Sequence, residues 1–213
     1  MQRGNNRSVT FAAPEDFTYY RRLMMKAAVQ AHCHIHAFVL MTNHVHLLAT
    51  PDDAAGPARL MKTISETYAR YFNHVHERTG TLWEGRYRST PVDSVHYFFA
   101  CSRYIELNPL RAAMVAHPAD YQWSSFAQNA GSAEKDLVTP HPLYSELGRS
   151  DHERRLAYGG MFADALHVTT VEAIRYAIAH NLSGNRRALR TTRADAVRRA
   201  LRGAVAGQLA ASA

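Results

Sequence analysis

His32-Cys33-His34-Ile35-His36-Ala37-Phe38-Val39-Leu40-Met41-Thr42-Asn43-His44-Val45-His46-Leu47-Leu48 is the stretch whose reading decides the fold. Residues 32–41 alternate histidine with apolar side chains and then run apolar, as a strand does when one face meets a core. Thr42-Asn43 is a turn signal, and 44–50 reads as a second strand, ended by Pro51-Asp52-Asp53. The two strands form a hairpin. Residues i and i+2 of a strand share a face, so His44 and His46 project side by side, as two imidazoles must to hold one metal ion. A two-residue turn sets Met41 opposite His44 and Val39 opposite His46. His32, His34 and His36 then lie on the other face, and the two histidine clusters are expected not to form one site, although a three-residue loop would reverse this.

Working outward, residues 15–31 read as a helix, with Leu23, Ala27, Ala28 and Ala31 as its stripe and Pro14-Glu15-Asp16 in its first turn. A long helix follows over 57–78, carrying Leu60, Ile64, Tyr68, Tyr71 and Phe72 and closed by Gly80. Residues 81–91 read as a further strand. A helix over 93–107 ends or kinks at Asn108-Pro109, because proline has no amide to donate. A short helix over 110–115 and a loop-rich stretch over 116–150 precede helices at 150–165, 169–180 and 191–205. This order predicts an α+β fold, an antiparallel sheet with helices packed on it. The expected units are a domain over 1–126 and a helical extension over 127–213.

An apolar share of 46% over 213 residues suffices for a real core. No stretch is long and apolar enough to span a bilayer, and residues 1–7 lack the apolar segment of a signal peptide. Cys33 and Cys101 make neither a disulfide framework nor a CxxC motif, so the expected setting is reducing and cytoplasmic, with no membrane partner. Nearly all of the net charge of +7 lies within 185–203, where seven arginines, Arg186, Arg187 and Arg190 among them, face one acid, Asp195. That segment suits a phosphate-rich partner, and equally a solvated helix face.

Four constellations carry chemistry. His44-x-His46 suits a metal, but alternating histidines also occur on ordinary sheet surfaces. Flanking Val45, Leu47 and Leu48 favour a partly buried strand, where unpaired imidazoles are costly. Tyr104 and Asn108, at i and i+4, share a helix face. They are either a core aromatic and a helix-end residue, or a nucleophile with an amide ligand one turn on. A phenol needs help to act as a nucleophile at neutral pH, and a divalent cation on the phosphate supplies it. His32, His34 and His36 resemble the pattern of histidine-triad nucleotide hydrolases and form a rival site. Trp83-Glu84-Gly85-Arg86-Tyr87-Arg88 places arginines beside aromatics, which suits a nucleic-acid strand or a solvated edge strand.

Taken in order, several stretches resemble the REP-associated tyrosine transposases, within the single-tyrosine HUH transposases of insertion sequences. They are Gln2-Arg3-Gly4-Asn5-Asn6-Arg7, the run from His36 to Leu48, Tyr68-Ala69-Arg70-Tyr71-Phe72-Asn73, Gly80 to Tyr87, Tyr104-Ile105-Glu106-Leu107-Asn108-Pro109-Leu110-Arg111-Ala112 and Asp120 to Phe126. The resemblance implies a ferredoxin-like core with His44, His46 and Asn108 holding Mg²⁺ or Mn²⁺ and Tyr104 as nucleophile. It implies cleavage and rejoining of single-stranded, hairpin-forming DNA through a 5′-phosphotyrosine intermediate. Arg86, Arg88, Arg111, Arg186, Arg187 and Arg190 are the expected DNA contacts. Some relatives complete the active site across a dimer, so a homodimer is a further expectation. Such proteins usually carry a strand just before the Arg-Gly-Asn-Asn-Arg stretch. Here the chain starts at Met1-Gln2, so the sheet is expected to lack that strand and to leave an open edge. A truncated relative that binds DNA hairpins without cutting them is therefore the second reading, and a histidine-triad hydrolase the third.

Overall fold

The hairpin is the centre of the structure, a computed structural model that describes residues 1–92, 94–131 and 133–180. Strand β1 (Gln2–Arg3) is followed by α1 (Pro14–Ala31), β2 (Cys33–Met41), β3 (His44–Pro51) and α2 (Gly56–Val75). Then come α3 (Val95–Glu106), α4 (Asn108–Arg111), α5 (Phe126–Asn129), α6 (Pro142–Ser145), α7 (Asp151–Gly160) and α8 (Val168–Ala179). The fold is α+β, with a three-stranded antiparallel sheet in the order β1-β3-β2. The Thr42-Asn43 turn sets Met41 against His44 and Val39 against His46, as the sequence predicts. Among the described residues no helix is long and apolar enough to cross a membrane.

The expectation of a missing first strand is corrected in part. Gln2 and Arg3 form β1 and pair with Val45 and His44 on the outer side of β3. The segment after it wraps the hairpin turn. Gly4 N–H donates to the Asn43 carbonyl, Thr10 and Phe11 N–H donate to the Thr42 carbonyl, and the Asn43 side chain donates to the Arg7 carbonyl. Gly4 is required by this close approach, because a Cβ there would stand 2.3 Å from the Ser8 carbonyl oxygen and 2.6 Å from Thr10 Cγ2. The opposite edge, on β2, is covered by residues 121–125. Leu40 N–H donates to the Trp123 carbonyl, Ser125 N–H donates to the Phe38 carbonyl, and the Tyr121 hydroxyl donates to the Leu40 carbonyl. These contacts occupy backbone groups that would otherwise template another strand.

Two cores sandwich the sheet. On one face α1 and α2 bury Tyr20, Met24, Ile64 and Tyr68 against Ile35, Phe38, Leu40 and Val45. On the other, α3 and α8 bury Phe98, Tyr104, Ile105 and Ile174 against Ala37, Val39, Met41 and Leu48. Alternation along β3, and along β2 from Ala37 to Met41, sends successive residues to opposite cores, and each large side chain so buried contributes about 1.5–3 kcal/mol. The stripe expected on α2 is the one buried, although Tyr71 is only half-buried.

Residues 81–91 are not a strand. They hold one isolated bridge, Trp83 to Gly4, and a turn at Gly85 with φ +78°. Leu82 and Trp83 are adjacent and both buried in the first core, which a half-exposed strand cannot do, and Trp83 Nε1 donates to the Ser65 carbonyl. The 191–205 helix and Arg186, Arg187 and Arg190 lie outside the described residues.

Candidate active site

β3 presents His44 and His46 on the face that meets α3, and α3 brings Tyr104 to them. The His44 and His46 rings stand 5.1 Å apart between centroids, nearly perpendicular. The His46 ring meets the Tyr104 ring edge-on at 5.5 Å. His46 is 4% exposed and Tyr104 6%. Among the described residues His46 has no hydrogen-bond partner, whereas His44 Nδ1 shares a 2.7 Å hydrogen bond with the Asn43 side-chain oxygen. Burial pushes the His44 imidazole down to about 4, and the positive charges of Arg3 and the amino terminus push the same way. His46 lies well below the ordinary histidine range for the same leading reason, with the amino terminus, His44, Arg111 and Arg3 adding to it. Both rings are therefore neutral at pH 7, which is the form that ligates metals.

Pro109 breaks the helix after Tyr104. α3 ends at Glu106, Leu107 takes φ −83° and ψ 0°, and α4 begins at Asn108. Tyr104 and Asn108 thus belong to two helices rather than one. The Asn108 side-chain nitrogen is buried with no partner among the described residues. Arg111, expected as a contact to DNA, lies beside Tyr104. Its guanidinium lies 4.4 Å over the Tyr104 ring and donates from Nη2 to the Tyr104 carbonyl at 2.5 Å. Of the two arginines expected on a strand at 81–91, Arg86 is exposed, while Arg88 donates from Nη1 to the Ala179 carbonyl at the end of α8.

The rival histidines do not converge. His32 and His34 sit at the surface beside Asp52, at 3.9 and 3.0 Å. His36 is the correction to the parity argument. A bulge between Ile35 and Ala37 adds one residue to β2, so His36 turns to the α3 face, the face of His44 and His46. There it meets the Phe98 ring edge-on, bonds the Thr139 carbonyl through Nδ1 and the Thr50 hydroxyl through Nε2, and is pushed by burial down to about 4. With both nitrogens engaged it packs rather than catalyses. His36, His46 and Tyr104 line one cavity of about 1020 Å³, which runs along the part of β3 that β1 leaves uncovered.

Sequence reasoning alone misses Glu106. Its carboxylate is wholly buried and accepts hydrogen bonds from the Ser125 hydroxyl, the Asn129 amide and the Tyr158 hydroxyl. Those contacts tie α3, two residues beyond Tyr104, to α5 and α7. Burial pushes the group up to about 7 against the pull of the three donors. The only signal in the sequence is an acid set between Ile105 and Leu107.

The antiparallel sheet thus points two neutral imidazoles toward a helix-borne tyrosine. Residues 3–108 match the family model described as "Transposase IS200 like", and the chain belongs to that family. Among solved structures, one described as a REP-associated tyrosine transposase bound to a REP hairpin is similar. It shares 18% identity over 67% of this chain and 79% of that chain, with a TM-score of 0.48. No curated protein matches the chain.

Proposed function

We propose that this transposase cleaves and rejoins single-stranded, hairpin-forming DNA, with Tyr104 as the nucleophile. One observation carries the reading: His46 lines the cavity and is set against both His44 and the Tyr104 ring. A neutral imidazole that opens on a cavity is free to take a ligand there. The residues fit a divalent cation. Two neutral histidines, with the Asn108 amide oxygen as the third ligand that the family resemblance implies, are imidazole and oxygen donors of the sort that Mg²⁺ or Mn²⁺ accepts. When bound, the cation neutralises charge that builds on the phosphate.

The Tyr104 oxygen attacks the phosphorus in line. The bond to the 3′ oxygen breaks, the 5′-phosphate stays on tyrosine, and the other strand leaves as a 3′-hydroxyl. A hydroxyl can reverse the step without an external energy source, because one phosphodiester has been exchanged for another. Arg111 holds the Tyr104 ring from one side and His46 from another, which limits the orientations the phenol must lose on the way to attack. Arg86 and the arginines of 185–203 are DNA contacts in this reading.

The test incubates the protein with end-labelled single-stranded hairpin DNA and Mn²⁺. A covalent protein–DNA adduct should form, vanish with chelator and vanish in Tyr104→Phe. Adducts at full yield in Tyr104→Phe refute the assignment, and hairpin binding with no metal-dependent nicking selects the non-catalytic binder.

A further inference from the structure

Two arginines on elements distant in sequence flank the His44, His46 and Tyr104 cluster. Arg3 of β1 is the direct antiparallel partner of His44. Directly opposed residues of a sheet project to the same face, so the Arg3 side chain rises beside the His44 imidazole. Arg111 of α4 lies over the Tyr104 ring, and its Nε and Nη1 are buried with no partner among the described residues. Neither arginine is in an ion pair with a carboxylate among the described residues. Arg175 of α8 adds repulsion at Arg111 rather than relief. Positive charge gathered without counter-charge, with guanidinium N–H groups left unpaired, is arranged for an anion from outside the chain.

We propose that Arg3 and Arg111 hold the phosphodiesters on the two sides of Tyr104, as the phosphate-binding pair of the site. This rests on the reading of the site as one that takes single-stranded DNA. A guanidinium presents paired N–H donors that match two phosphate oxygens, which a lysine cannot reproduce. The two come from opposite ends of the cluster, β1 and α4, so they contact different phosphates. That fixes the register of the strand, placing one linkage in front of the tyrosine.

Binding is read separately from cutting. Affinity for a labelled hairpin with a single-stranded flank is measured over a salt series in the Tyr104→Phe background, for Arg3→Gln, Arg111→Gln and the matching lysine variants. Each glutamine variant should bind about tenfold more weakly, the loss expected for one charge-assisted contact. Each should also lower the slope of log affinity against log salt by about 0.7–0.9. The lysine variants should keep most of the slope, which separates charge from folding defects. Neutral methylphosphonates are then placed one linkage at a time around the nick site. One position should cost nothing further in Arg3→Gln, and a different one nothing further in Arg111→Gln. Unchanged slopes, or methylphosphonate losses that add in full to both variants, overturn the pair. Absence of adducts on the unmodified protein would instead sink the nuclease reading and leave these slopes standing.

Discussion

Replacing Glu106 by glutamine probes the buried contact that anchors the helix bearing Tyr104. The carboxyl is pushed by burial from 4.5 in the free residue up to about 7 in the folded chain. Between those values the folded state holds a proton that the unfolded state has released. The stability Glu106 contributes is therefore complete below 4.5 and is lost as pH rises through 7. Glutamine mimics the protonated acid. Its oxygen can accept from Ser125 and Asn129 as Glu106 does, and its amide can donate to the Tyr158 oxygen, which changes from donor to acceptor. At 1.36 kcal/mol for each unit of separation, the advantage of the glutamine variant should grow by about 2.5 kcal/mol between pH 5 and pH 8. Urea melts followed by tryptophan fluorescence, run on both proteins at both pH values, measure this directly. The histidines pushed down by burial affect both proteins alike and cancel in the difference. A difference that does not change with pH means that the three donors keep Glu106 ionised in the fold, and the reasoning fails.

Gly4→Ala should lower stability by about 1–3 kcal/mol, read from a thermal melt, because its methyl group meets the Ser8 carbonyl oxygen. Tyr158→Phe removes one donor from a buried carboxyl, so it should destabilise by about 1–3 kcal/mol at pH 8 and by less at pH 5. His36 and His44 titrate near 4 in the fold and near 6.5 when unfolded, so the stability they lend is present above 6.5 and lost as pH falls through 4. A His36→Gln variant should show a shallower loss of urea midpoint over that interval. His46→Ala should abolish metal-dependent adducts while leaving hairpin affinity within about twofold, since a neutral imidazole makes no phosphate contact that counts in the salt slope.

The hairpin was legible because its two signals, period-two alternation and the Thr42-Asn43 turn, act over a few residues. The register follows from them, and so does the shared face of His44 and His46. Tyr104 meeting His46 was legible only through the resemblance, since spacing on a helix says nothing about which sheet face that helix covers. Arg111 was expected among the DNA contacts, and nothing in the local sequence set it against Tyr104. Its place over Tyr104 follows from helical hydrogen bonds that continue through Leu107, which bring Arg111 round to the side of Tyr104 about two turns on. Residues 81–91 misled for a similar reason. Their mix of aromatics and arginines matches a strand in composition, but Trp83 is drawn into the first core by Tyr20 and Tyr68.

His36 shows why parity arguments stop at a bulge. Counted back from the turn it belongs with Phe38 and Leu40, facing α1 and α2. The extra residue between Ile35 and Ala37 reverses that, and nothing in the local sequence marks it. The contacts that stabilise the bulge come from far along the chain. The Asn129 amide donates to the His36 carbonyl, Thr139 N–H donates to the Ile35 carbonyl, and the His36 ring bonds the Thr139 carbonyl. Asn129 also donates to Glu106, so one amide joins the bulge to the helix that carries Tyr104. The bulge therefore does more than re-aim a histidine. It links the strand that pairs with β3 to the helix that carries Tyr104 through a buried amide, beside Ser125, whose hydroxyl accepts from Phe38 N–H and donates to Glu106. An Asn129→Ala change should loosen both, lowering stability by about 2 kcal/mol or more by stranding a carbonyl and removing a carboxyl's donor together. Hydrogen exchange should then speed up in β2 and α3 at once, and faster exchange in one of them alone would show that they are not coupled through Asn129.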